Sequence, residues 1–159
     1  MGEVTVTALL CGLLGGGATE VRHEFVNLGV TRAVRIDCET PTHVIEVGLD
    51  TSSGSRDSLH QALFAAALTG KAPAVVLIDT DGVEGRYEYE MRVVAARAGV
   101  AYRSCSQGFV ERWRATSPWR GVGLDKSLDD LPRNANAASR CDLGALFDMP
   151  GAVPVPTTD

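Results

Sequence analysis

Hydrophobic positions follow three rhythms along the chain. Residues 4–14 are apolar on nearly every side, residues 19–49 alternate imperfectly, and residues 74–78 form an unbroken apolar run. The first segment predicts a buried helix over 4–14, ended by Gly15-Gly16-Gly17. Next, 19–28 reads as a strand with Val21, His23 and Phe25 on one face and Glu20, Arg22, Glu24 and Val26 on the other. Neither face is cleanly apolar, which suits an edge position. Asn27-Leu28-Gly29 predicts a turn. Two further strands, 31–38 and 42–49, flank the turn signal Glu39-Thr40-Pro41. In the second of them His43, Ile45 and Val47 alternate with Val44, Glu46 and Gly48.

A polar loop leads into a helix from about Ser55 to Leu68, with Leu59, Leu63, Ala66 and Ala67 as its apolar stripe, Ser55 as N-cap and Gly70 as stop. The run 74–78 lacks alternation and predicts a strand covered on both faces. Tyr87, Met91, Val94, Ala95 and Ala98 predict a helix over 84–98; Gly99 caps it and 100–103 reads as a short last strand. Helix, three strands, helix, strand, helix, strand is the order of an α/β sandwich around a mixed sheet. A right-handed crossover through 55–70 would join parallel neighbours.

Beyond residue 104 the pattern weakens, dividing the chain into an α/β core at 1–104 and an irregular C-terminal arm with a Pro-rich tail at 105–159. Phe109, Trp113 and Trp119 either fix the arm to the core or form a surface for a protein partner. Arg112, Arg114 and Arg120 interleave with the tryptophans. That mixture can stack bases and contact phosphate, and it also fits a solvated amphipathic arm. Past about 140 the anchors are sparse, namely Leu143, Leu146, Phe147 and Met149, so this stretch is expected to add little to folding of the core.

At 159 residues the chain suits one domain. Its formal net charge of -5 argues against a basic nucleic-acid coat, while leaving room for a local basic groove. Cys11, Cys38, Cys105 and Cys141 lack the spacing of a zinc knuckle or a redox motif, so free thiols in a reducing compartment are expected. The apolar run near the start has no basic residue before it and is too short to span a bilayer. A cytoplasmic protein without a membrane partner is the expectation; its oligomeric state is left open.

The candidate chemistry lies in the middle strands. Asp37 and Glu46 are each an acid among apolar neighbours, and facing strands of a hairpin can bring them to one surface. Two such carboxylates suit a hard divalent cation; two strand-end acids facing water would read the same way. Four stretches carry a more specific signal: GGATE at 16–20, VRIDC at 34–38, THVIEVG at 42–48 and HQALFAAALTGKAPAVVLI at 60–78. Their order and spacing resemble the PD-(D/E)XK nuclease-like superfamily, and within it a small bacterial and phage-associated group.

The resemblance covers residues 16–79 and implies a restriction-endonuclease-like core. It implies Mg²⁺ or Mn²⁺ held by Asp37 and Glu46, with Glu20 as outer ligand or water positioner and Gln61 supporting the outer shell. Glu20, Asp37, Glu46 and Gln61 would form the catalytic set for metal-assisted attack on a DNA phosphodiester. Arg56, like Arg112 and Arg114, is a candidate phosphate contact. The departure is at residue 48, where the general family has lysine and the narrower group often an acid. Gly48 supplies no ammonium, ligand or base, and the loop 50–56 contains no lysine. Lys71 reads as structural or surface, His43 as a structural histidine and His60 as a surface one.

The favoured reading is a nuclease-like, nucleic-acid-interacting protein with a degenerate metal site and weak or absent phosphodiester hydrolysis. An active Mg²⁺- or Mn²⁺-dependent DNA endonuclease and a non-catalytic interaction or structural module are the alternatives. Gly48→Lys is expected to raise cleavage if the rest of the pocket is intact.

Overall fold

The structure, a computed structural model, describes residues 3–14, 17–115, 141 and 143. The elements are α1 (Glu3–Leu13), β1 (Ala18–Asn27), β2 (Val30–Glu39), β3 (His43–Leu49), α2 (Ser55–Thr69), β4 (Ala72–Asp79), α3 (Arg86–Ala98), β5 (Ala101–Ser106) and α4 (Gln107–Ala115). The expected order is present, and the arm adds α4, which the residue pattern did not announce. β5 runs across the 104/105 division. Gly15, Gly16, Trp119, Arg120, Leu146, Phe147, Met149 and the Pro-rich end lie outside the described residues.

The five strands form one mixed sheet in the order β1-β2-β3-β4-β5. β1–β2 and β2–β3 are antiparallel; β3–β4 and β4–β5 are parallel. β4 explains the unbroken apolar run. Ala74, Val76 and Ile78 pack with α1, while Val75 and Leu77 pack with α2 and α3, so both faces of the strand are covered. On β3, Ile45 and Val47 join the α1 side and Val44 the α2 side. Glu46 and Gly48 therefore fall on the α2 side by alternation.

Two expectations about the chain are corrected. All four cysteines are paired, Cys11 with Cys38 and Cys105 with Cys141. Sequence spacing could not show this, because the fold brings α1 onto β2 and residue 141 onto β5. Gly17 lets the chain pass the first cystine: a Cβ there would lie 3.1 Å from each sulfur and 2.8 Å from the Glu39 carbonyl oxygen. Among the described residues no helix is long and apolar enough to cross a membrane.

The second correction concerns residues past 140. Leu143 is 1% exposed and belongs to the core cluster formed with α1, β3, β4 and Val110. A single leucine can anchor a segment when a cystine two residues earlier holds it in place. Leu143→Ala should lower the unfolding free energy by about 2–5 kcal/mol in urea denaturation. A loss under about 0.5 kcal/mol, the scale of surface substitutions, would place Leu143 outside the core.

Candidate metal centre

β2 and β3 begin their pairing at Glu39↔Val44 and Cys38↔Ile45. The next positions in that register are Asp37 and Glu46, which would share a face. Here the ladder becomes irregular. Cys38 packs on the α1 side, whereas Ile36, two residues earlier, packs with Val44 and Ala65 on the α2 side. Residues two apart in a regular strand share a face, so β2 rotates at Asp37. The neighbouring strand is irregular at the matching place. β1 pairs Thr19 with Cys38 and Val21 with Ile36, and Glu20 between them has φ 55°, which is uncommon for a non-glycine residue. Such departures are held in place by surrounding structure and cluster at functional sites.

The irregularity sets Asp37 against Glu46, with the Glu20 charge near enough to act on Glu46, but the ligand oxygens of the three do not all lie within 4.8 Å of one another. The Val47 N–H donates to Asp37 Oδ2 at 2.9 Å and fixes that carboxylate across the hairpin. Glu46 is 1% exposed, and its Oε1 has no hydrogen-bond partner. Burial, then the Asp37 charge and a side-chain hydrogen bond with Asp37, push the Glu46 carboxyl up to about 8. The Asp37 backbone N–H pulls the other way, and the Glu20 charge adds to the rise. Glu20 is held from outside by Arg35, whose Nε lies 2.6 Å from Oε2. That contact is an ion pair without hydrogen-bond geometry, since the same oxygen has no hydrogen-bond partner.

The remaining expected residues are placed differently. Gln61 is exposed on α2, one helical turn before Ala65, which packs against β2. By helical spacing it lies on the same flank of α2 as Ala65. Arg56 is engaged elsewhere: it forms an ion pair with Glu90 at 2.8 Å, and its guanidinium lies 5.1 Å from the Tyr87 ring centre. It therefore ties α2 to α3. Arg112 and Arg114 are exposed on the last turn of α4.

Lys71, expected as structural or surface, contacts Glu39 Oε1 at 2.7 Å and donates to the Thr40 carbonyl at 2.6 Å. The other Glu39 oxygen meets His23 Nε2 at 2.6 Å. Burial pushes the Glu39 carboxyl up, but hydrogen bonds from Lys71 and His23 outweigh it and hold it below the ordinary value. This trio joins β1, β2 and the end of α2. His43 Nδ1 meets the Thr42 hydroxyl at 2.6 Å, and His60 stacks on Phe64 with ring centres 6.5 Å apart.

Position 48 decides what the site lacks. A Cβ on Gly48 would lie 2.9 Å from Leu77 Cδ2, 3.2 Å from Ser55 Cβ and 3.3 Å from Ser55 Cα. The start of α2 and the β4 side chain fill the space that a longer residue would need. The expectation that lysine at 48 would complete an intact pocket is therefore corrected by packing.

A second acidic group lies at the ends of β3 and β4. Asp50, Asp79 and Asp81 offer ligand atoms within 4.8 Å of one another and could hold a metal ion. Sequence reasoning missed this grouping. Its signal was the parallel register Leu49↔Ile78, which sets Asp50 beside the Asp79-Thr80-Asp81 turn. At least one oxygen of each already accepts a hydrogen bond. Asp50 accepts from the Thr80 N–H and hydroxyl, Asp79 from the Asp81 and Gly82 amides, and Asp81 from the Val83 amide. They hold the turn after β4.

Comparisons of the chain with protein-family models, with curated proteins and with solved structures found no match.

Proposed function

We propose that Glu20, Asp37 and Glu46 take a divalent cation, and that the chain is a nuclease-like, nucleic-acid-interacting protein with weak or absent phosphodiester hydrolysis. The observation that carries this reading is the Glu46 carboxylate. It is buried, has one oxygen without a partner, and is raised to about 8 by burial and by the Asp37 and Glu20 charges. Such a group is costly unless a proton or a cation neutralises it. Asp37 and Glu46 offer carboxylate oxygens of the kind Mg²⁺ or Mn²⁺ takes, and Glu20 would have to move in to complete the set, since the three do not all lie within 4.8 Å of one another. The Asp50 group has ligand atoms within 4.8 Å of one another, but both Asp50 oxygens and one oxygen each of Asp79 and Asp81 hold the turn after β4, and Asp81 is exposed, which favours a turn-holding role for it.

The helix, three-strand meander, helix, strand order, with acids on the second and third strands, supports the resemblance to PD-(D/E)XK proteins. A bound cation would lower the pKa of its water and stabilise charge developing on phosphate. The chain's own residues do less. Val47 N–H orients Asp37, Arg35 restrains Glu20, Gly48 supplies no ammonium, and Arg56 is tied to Glu90. This gives a cation site without the general base or phosphate clamp that efficient hydrolysis requires.

A non-catalytic structural role is favoured by one observation, the hydrogen bond between Asp37 and Glu46, which a proton shared by the pair would maintain. The two cystines favour an oxidising compartment over the cytoplasm expected from the sequence.

The test combines thermal unfolding with a cleavage assay. Mn²⁺ should raise the melting temperature of the wild type and leave Asp37→Asn unmoved, while DNA in the same buffer is cut weakly or not at all. Strong cleavage abolished by Asp37→Asn would make the active endonuclease the correct reading. No response of the wild type to Mn²⁺ would leave the structural role.

A further inference from the structure

β1 ends the sheet, and among the described residues no strand pairs with its outer edge. Its hairpin with β2 closes at Asn27↔Val30 around Leu28 and Gly29, with φ 51° and 77°. These values mark a two-residue type I′ loop. In such a turn the Asn27 carbonyl accepts from the Val30 N–H. Alternation along the ladder then aims the backbone groups of Phe25, His23 and Val21 at β2, and those of Val26, Glu24 and Arg22 outward. An open edge of this kind is a template for another strand.

The side chains on that edge select the occupant. Arg22 and Glu24 are both exposed and lie 3.1 Å apart on one face of the strand. We infer that a second copy of this chain takes the edge, β1 against β1 in antiparallel pairing, with the twofold axis at His23. In that register Arg22 lies opposite Glu24 of the partner subunit, and the symmetry repeats the pair. Their outward backbone groups exchange hydrogen bonds directly. Val21 lies opposite Phe25 of the partner subunit, and the Leu28 side chain, 98% exposed in the single chain, comes beside Ala18 of the partner subunit.

Neighbouring registers are worse. Centring on Arg22 sets two arginines on the axis and glutamate 20 opposite glutamate 24, while centring on Glu24 sets two glutamates on the axis. Centring on Val21 would set Glu20 opposite Arg22 of the partner subunit, but Glu20 has φ 55° and leaves the regular ladder, so the His23 register is the one that places opposite charges face to face along regular strand. Glu20 is on the same strand, so the two carboxylate clusters flank the seam. The inference does not depend on what those clusters bind.

Sedimentation equilibrium of the full chain tests it. The wild type should form a dimer. Arg22→Glu should weaken that dimer by at least about tenfold, because attraction becomes repulsion at two symmetric positions. The fold tolerates this change, since residue 22 faces Arg35 across the β1–β2 ladder. Combining Arg22→Glu with Glu24→Arg restores opposite charges and should restore the dimer. A monomer at every concentration, a dimer indifferent to Arg22→Glu, or a failure of the double variant to recover would each overturn the inference.

Discussion

Gly48→Lys should unfold the protein and yield no gain in DNA cleavage. Even Gly48→Ala would press its Cβ to 2.9 Å from Leu77 Cδ2 and 3.2 Å from Ser55 Cβ. Leu77 is fully buried and cannot move aside cheaply, and the second contact is the first residue of α2. Overpacking of this sort costs about 1–3 kcal/mol, which is the loss expected for Gly48→Ala in urea denaturation. Lysine adds three methylenes and an ammonium at a buried position. Its cost should exceed that of alanine by several kcal/mol, enough to abolish a cooperative transition in a marginally stable domain. A well-folded Gly48→Lys protein with the wild-type midpoint would show that α2 can withdraw. The original expectation of restored cleavage would then be worth testing again.

Stability should fall as pH rises from about 4.5 to about 8, and Glu46 should be responsible. The folded protein holds the Glu46 proton up to about 8, against 4.5 for an ordinary glutamate. Within that window the folded state binds more protons than the unfolded state, so unfolding becomes easier with increasing pH. One such group contributes a slope of roughly 1.4 kcal/mol per pH unit in the middle of the window. Glu88 is raised as well, by burial first and then by Asp79 and Asp50, and adds to the decline with the same sign. Glu46→Gln isolates the first contribution. It keeps the shape of the side chain but cannot ionise, so its stability curve should be flatter than the wild type's. The variant should be the more stable of the two above pH 8. Parallel curves for the two proteins would remove Glu46 as the titrating group.

The fold was legible where periodicity was strong. The unbroken run at 74–78 could only be a doubly covered strand, and the Met91 and Ala95 spacing fixed one helix face. The acids were legible as a pair because each stands among apolar neighbours in one of the two strands joined by the Glu39-Thr40-Pro41 turn. Their burial was not, since it depends on α2 closing over β3 at Gly48. The same closure shows why glycine stands there, which a strand pattern alone cannot reveal. The cystines and Leu143 were hidden for another reason: each joins segments far apart in sequence, and local pattern holds no signal of such contacts. Lys71 and Glu39 are 2.7 Å apart for the same topological reason, because the end of α2 returns to the turn between β2 and β3.

The central claim is that a cation and a proton compete for the buried Glu46 carboxylate beside Asp37. Calorimetric titration of the full chain with Mn²⁺ at pH 6 and pH 8 tests it most directly, with buffers of different ionisation enthalpy to count released protons. Binding should be on the order of tenfold or more tighter at the higher pH, with proton release at the lower one, because the ligand must be ionised to bind metal. Asp37→Asn should lose this binding while keeping its fold, since the asparagine oxygen can still accept from the Val47 N–H. Mn²⁺ binding that is absent at both pH values, or that survives unchanged in Asp37→Asn, would contradict the account.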